Sequence, residues 1–314
     1  MKRKSNMGRM TLGYWPPMVV GLALVVVLAM LYPAGISTAE AAGKQPGKAP
    51  AEAAPEAKAP QKPAEKPAGQ PVEKPAEKPA EPAAMAPIIN PEADKLLREM
   101  GEYLKNAQQF SFQAEITFDD VLPSGQKIQI AATEDLAVHR PGEAYIEYRG
   151  DLGVKRFWYK GDTITLYDPG NNLYATEKVP AKFDEAIDQV MKEFGFSPPL
   201  VDILYSDPYK LLINRVQFGL YIGLSMVDGI HCHHLAFVDK YIDWQIWIED
   251  GKQLVPRKIL ITYKTIPGAP QFTAVLSDWD FATPLANRLF SASLPAGAEK
   301  IEFARLAKSL EKKE

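Results

Sequence analysis

Three of the four histidines fall in one tetrapeptide, His231-Cys232-His233-His234, which also holds the only cysteine. Imidazole nitrogen and thiolate sulfur are good ligands for copper or zinc, so these residue types suggest a metal. The spacing argues against it. On a strand successive side chains alternate, so His231 and His233 share one face while Cys232 and His234 share the other. At most two ligands converge from the motif, and His139 is the only further imidazole. A strand with partly satisfied histidines and a small buried thiol is the plainer reading. A metal-binding protein centred on His231–His234 stands last among three functional alternatives.

Carboxylates and nucleophiles offer less. The sequence contains no G-x-S-x-G elbow, no glycine-rich phosphate loop and no H-E-x-x-H. Asp119 and Asp120 sit where a strand gives way to a turn, and on a strand they would face opposite sides. Asp278 and Asp280 would share a face, with no partner group placed beside them. Cys232 as a nucleophile would need a neighbouring base and an exposed cleft. The expectation is a protein that is not an enzyme and needs no cofactor.

The elements that would position any site are mostly strands. Over 241–263, YIDWQIWIEDGKQLVPRKILITY, Ile242, Trp244, Ile246 and Ile248 alternate with Asp243, Gln245, Trp247 and Glu249. Asp250-Gly251 suits a two-residue type I′ turn. That turn would set Glu249 opposite Lys252, Trp247 opposite Leu254 and Pro256 opposite Gln245. Pro256 has no N–H to give there, so a bulge or an edge is expected. Val255, Ile259, Ile261 and Tyr263 return to the apolar face. Further alternating runs fill 126–138, 143–149, 154–160, 163–167, 172–178, 215–226, 230–239 and 271–281, and a strand through Phe112, Ile116 and Phe118 precedes them. Short strands at this spacing indicate a meandering antiparallel sheet.

Three helices interrupt the pattern. Asn90, Pro91, Glu92 and Asp94 supply the cap, first-turn proline and first-turn acids of a helix reaching about Asn106. Phe183, Ile187, Val190, Met191 and Phe194 make an apolar stripe on 181–194, which Gly195 stops. Ser206-Asp207-Pro208 opens a short third helix through Ile213. The fold class is therefore α+β: an antiparallel, strongly curved sheet of about eleven strands, with the first two helices on its concave side.

Outside that domain the composition changes. Lys2, Arg3, Lys4 and Arg9 precede an uncharged apolar run at 18–32, as in an export signal. Tyr14 to Ile36 carries no charge and could also just cross a bilayer, so residues 1–40 are a cleaved signal or a retained anchor through 14–36. Residues 41–87, rich in Ala, Pro, Lys and Glu, read as a disordered linker that could extend on the order of 140 Å. The domain itself is expected over 88–305, with a charged tail at 306–314. Residues 88–314 hold 25 basic and 32 acidic residues, a net charge of −7, which leaves no electrostatic footprint for nucleic acid.

The apolar face exceeds what three helices readily cover. A fully packed core and a helix-covered cavity for an acyl chain both satisfy the pattern. The residues placed in such a cavity are Phe118, Ile146, Phe183, Ile187, Met191, Phe194, Phe218, Leu220, Phe237, Trp244 and Ile246.

The stretches FSFQAEITF (110–118), VDGIHCHHLAF (227–237), WQIWIEDGKQLVPRKILITY (244–263) and LFSASLPAGAEKI (289–301) resemble a family of predicted periplasmic proteins with a LolA-like (lipoprotein carrier-like) fold. The resemblance runs from about Pro91 to Ile301. It implies a half-open antiparallel barrel whose apolar concave face is closed by helices. It also implies a periplasmic binding protein for lipid or lipoprotein acyl chains. The alternative it carries is an envelope sensor or scaffold that engages a protein partner through the same fold.

Overall fold

A computed structural model describes residues 87–196 and 198–303. The signal or anchor, the linker before residue 87 and the charged tail lie outside the described residues.

Asn90 caps the first helix, α1 (Pro91–Asn106), its side-chain oxygen accepting from the Glu92 and Ala93 N–H groups at 2.9 and 3.2 Å. Those are donors that a helix start leaves without an intrahelical partner. Six strands follow: β2 (Gln109–Val121), β3 (Lys127–His139), β4 (Glu143–Gly150), β5 (Gly153–Lys160), β6 (Thr163–Asp168) and β7 (Leu173–Lys178). Helix α2 (Phe183–Phe194) ends at Gly195, whose φ of 73° lets its N–H reach the Met191 carbonyl. A 3-10 turn (Val201–Leu204) leads to α3 (Pro208–Ile213), capped by Asp207. The second block is β8 (Phe218–Val227), β9 (Ile230–Val238), β10 (Ile242–Glu249), β11 (Pro256–Tyr263) and β12 (Gln271–Asp280).

With β1 (Ile88–Ile89) before the first helix and β13 (Glu299–Ile301) near the end, all strands share one open sheet, in the order β1-β8-β9-β10-β11-β12-β2-β3-β4-β5-β6-β7-β13. Two antiparallel meanders meet where β12 pairs with β2. The sheet has thirteen strands rather than about eleven. The additional two are β1 and β13, each paired in parallel at an outer edge. Runs of two or three residues are too short for an alternation signal to register.

One side of the sheet is largely apolar. Cross-strand partners there include Phe118 with Phe272, Leu136 with Ile146, Phe157 with Leu166, and Trp244 with Phe237 and Ile261. The buried stripes of α1 and α2 belong to the same core. On the other side Val227, Cys232 and Trp247 form a small separate cluster. The stretch after β12 crosses that outer side, where the Trp158 indole N–H donates to the Leu289 carbonyl at 3.1 Å.

Two local expectations fail. The β10–β11 connection is not a two-residue turn, because neither Asp250 nor Gly251 takes a positive φ. The loop runs to Val255, and Pro256 opens β11 opposite Ile248, beside an irregularity between Trp247 and Ile248. Starting the strand at its proline spares a ladder bond that Pro256 could not donate. The expected faces of β8 are also reversed at its start. Gly219 and Tyr221 pair with inward Phe237 and Leu235, so Phe218 and Leu220 point outward. The close approach explains why glycine is inside, since a Cβ on Gly219 would lie 2.9 Å from both Ile89 Cγ2 and Phe237 Cδ1.

Candidate functional site

Seven of the eleven apolar residues singled out above come together. Phe118, Ile146, Ile187, Phe194, Phe237, Trp244 and Ile246 are at most 3% exposed and lie in one contiguous core. Phe183 and Met191 pack against it, partly buried. Phe218 and Leu220 do not join them and are 38% and 41% exposed on the outer side. The alternation of β8 breaks at an irregularity between Tyr221 and Gly223, and period alone does not say which side faces in.

The floor is aromatic near its middle, with Phe237 and Trp244 stacked at 4.3 Å and Phe112 and Trp279 at 4.2 Å. Helix α2 lies against the β5 region through Phe183, whose ring meets Tyr159 edge-on at 5.2 Å. Polar bonds fix the first half of α2. The Tyr159 hydroxyl donates to the Ala181 carbonyl at 2.7 Å, and the Tyr205 hydroxyl to Asp188 at 2.9 Å. The Ser206 N–H donates to Asp184 at 2.9 Å. The second half contributes Val190, Met191 and Phe194, with Phe194 packed on Phe303 at 5.0 Å.

A polar row crosses the same inner face, and reading the sequence for apolar runs missed it. Glu134 on β3 is the cross-strand partner of Tyr148 on β4, and Tyr148 is the partner of Lys155 on β5. Lys155 Nζ lies 2.8 Å from Asp168 at the end of β6. All four are buried. Burial alone would raise the Asp168 carboxyl, yet hydrogen bonds from Lys155 and Asn171 outweigh it and hold the group below its ordinary value. Glu134 has no such help, and burial pushes its carboxyl well above the usual range. Both Glu134 oxygens and the Tyr148 hydroxyl lack a hydrogen-bond partner. The signal was legible: Glu134 occupies the inward register between Ala132 and Leu136.

The histidine motif is divided as its spacing predicts. His231 is exposed, His233 contacts the Tyr221 hydroxyl at 3.0 Å, and His234 contacts Gln245 at 2.8 Å while stacking on Trp247. Among the described residues no three His, Cys, Asp or Glu side chains come together to hold a metal ion. Burial pushes the Cys232 thiol up to about 11, leaving it protonated and unreactive at neutral pH. Asp119 accepts from the Gln271 N–H at 3.0 Å. Asp278 takes a φ of 51° at an irregularity in β12, and Asp280 caps the Ala282 and Thr283 N–H groups at 2.8 and 2.9 Å. These acids shape the backbone and assemble no reactive pair. A depression of about 530 Å³ opens at the β7–β13 edge, lined by residues such as Thr176, Lys300 and Phe303. None of the eleven apolar residues lines it.

Solved structures show a similar outline at very low identity. Lipoprotein LppX of Mycobacterium tuberculosis aligns over 63% of this chain and 100% of its own, with 13% identity and a TM-score of 0.41. A LolA superfamily protein of Nitrosomonas europaea aligns over 64% and 97%, with 10% identity and a TM-score of 0.31. A chain of the Pseudomonas aeruginosa MucA/MucB complex aligns over 64% and 61%, with 14% identity and a TM-score of 0.37. Likeness at that level says nothing of what this chain binds. No curated protein matches the sequence. The family model for a predicted periplasmic protein, DUF2092, matches residues 93–304, and the chain is a member of that periplasmic family.

Proposed function

We propose that this periplasmic protein binds lipid or lipoprotein acyl chains on the inner face of its sheet and catalyses no reaction. The observation that carries the reading is the apolar floor from Trp244 and Ile246 to Phe118 and Ile146, which shares one core with the buried stripe of α2. Helix α2 acts as a lid. Its first half stays pinned through Asp184 and Asp188, while its second half lifts about the boundary formed by Gly195 and Pro198-Pro199. An acyl chain then takes the places of Met191 and Phe194, which lie in the half that lifts. Magnitudes allow the exchange, because ten methylenes buried at about 0.8 kcal/mol each exceed the roughly 1.5–3 kcal/mol carried by each of two displaced side chains. Native mass spectrometry of gently extracted protein is expected to show co-purifying lipid. Repeated recovery of lipid-free protein that neither binds added lipid nor protects it from water would sink the reading.

A second reading, a scaffold for a protein partner, draws on β8. Beyond Gly219 that strand has no neighbour on its outer edge among the described residues, and Ile222, Leu224 and Met226 are 54%, 61% and 59% exposed. An open, uncharged strand edge is what another chain's strand can add to. Recovery of a stoichiometric protein partner without lipid favours this alternative.

A further inference from the structure

We infer that Glu134 and Tyr148 form a subsite for the uncharged, oxygen-bearing head, an ester or a hydroxyl, of the lipid whose chain lies on the apolar floor. The inference rests on the binding reading above and adds where the ligand's polar end sits and what chemistry selects it.

The row Glu134–Tyr148–Lys155–Asp168 divides into two halves. In one, Lys155 and Asp168 meet at 2.8 Å, and Asp168 also accepts from Gly170 and from the Asn171 backbone and side chain. That half is internally satisfied, and its two charges cancel. The other half is not satisfied. Glu134 is 1% exposed and Tyr148 is 2% exposed, yet neither carboxyl oxygen nor the hydroxyl meets a partner. Buried polar groups in folded proteins are nearly always hydrogen-bonded, so three unpartnered oxygens on neighbouring strands call for a function. A packed core would be better served by a leucine and a phenylalanine at the same positions.

Placement agrees with a ligand role. Leu136 and Ile146 are the next inward pair along β3 and β4, so the two oxygen-bearing groups adjoin the candidate acyl floor. Two inward residues flanking Glu134, one on β2 and one on β3, are small. Its partner on β2 is Ala114, and the next inward residue on β3 is Ala132. The groups facing it across the sheet are Ala114 and Tyr148, with no cation among them. Burial with no cation beside it therefore favours the uncharged carboxylic acid at Glu134. A carboxylic acid and a phenol each offer one donor and one acceptor, a set that matches ester carbonyls and hydroxyls. An anionic phosphate would find no free positive charge here, since Lys155 is committed to Asp168.

The test uses the full chain, titrated with 1-monooleoylglycerol, oleylamine, and 1-octadecene as a headless control. The wild type is expected to bind the monoacylglycerol at least tenfold more tightly than the octadecene. Tyr148→Phe and Glu134→Leu are expected to remove that tenfold difference while octadecene affinity stays unchanged. Thermal stability of the free Tyr148→Phe protein should hold or rise, because the lost hydroxyl had no partner. A purely structural role would instead lower stability and weaken all three ligands alike, which overturns the inference. Preference for oleylamine that Glu134→Gln abolishes also overturns it, in favour of a cationic head. If even octadecene fails to bind, the acyl-binding reading itself falls, and this subsite with it.

Discussion

At Asp202, in the 3-10 turn before α3, burial pushes the side-chain carboxyl up to about 7 from 3.8, while Arg215 pulls weakly the other way. The Arg215 guanidinium is committed to Asp239 at 3.0 Å, and Asp202 Oδ1 is buried without a partner. The folded chain therefore keeps a proton that the unfolded chain has released. Stability from this group is complete below about pH 4 and is lost as pH rises through about 7. Glu134 contributes with the same sign. The urea midpoint of the wild type is expected to fall between pH 5 and pH 8. Asp202→Asn should shrink that fall, and combining it with Glu134→Gln should shrink it further. An unchanged pH slope in the double variant would show that other groups carry it.

Helix α2 is the element on which the binding reading turns. Ile187 is fully buried at its centre, and Ile→Ala at such a site costs about 2–5 kcal/mol when the whole core feels the loss. A lid behaves differently. Ile187→Ala is expected to speed amide exchange across 183–194 at least tenfold while protection in β2, β3 and β10 stays as in the wild type. Equal acceleration throughout the sheet would mean that α2 is ordinary core. The helices were the most legible elements, because the Asn90 cap, the 183–194 stripe and the Gly195 stop are local features that tertiary contacts had no reason to override. Most strand periods were equally legible, β8 excepted, where an irregularity between Tyr221 and Gly223 interrupts the alternation. What alternation could not reveal was which side of β8 faces inward. That choice depends on Gly219 accepting the close approach of Ile89 and Phe237, neighbours far away in sequence. The inward Glu134 was likewise readable only once its strand was known to be buried on that face.

At the scale of the whole molecule, exposed large apolar side chains among the described residues concentrate on β8. Leu224→Lys with Met226→Lys is expected to change unfolding free energy by no more than about 0.5 kcal/mol per site, since both side chains are largely exposed. The same pair should reduce concentration-dependent self-association measured by sedimentation, as charges on an open edge do. Association that persists in the variant would place the contact elsewhere. The sheet's opposite margins carry a different consequence. The described chain begins at β1 and finishes at β13, and these lie at the two extremes of thirteen strands. Tension applied between the two ends would therefore act across the sheet's full width. The first attachments loaded are a two-residue and a three-residue parallel pairing. Those margins should peel at low force and act as mechanical fuses, leaving the eleven interior strands and the apolar floor intact under a pull that has already lengthened the molecule.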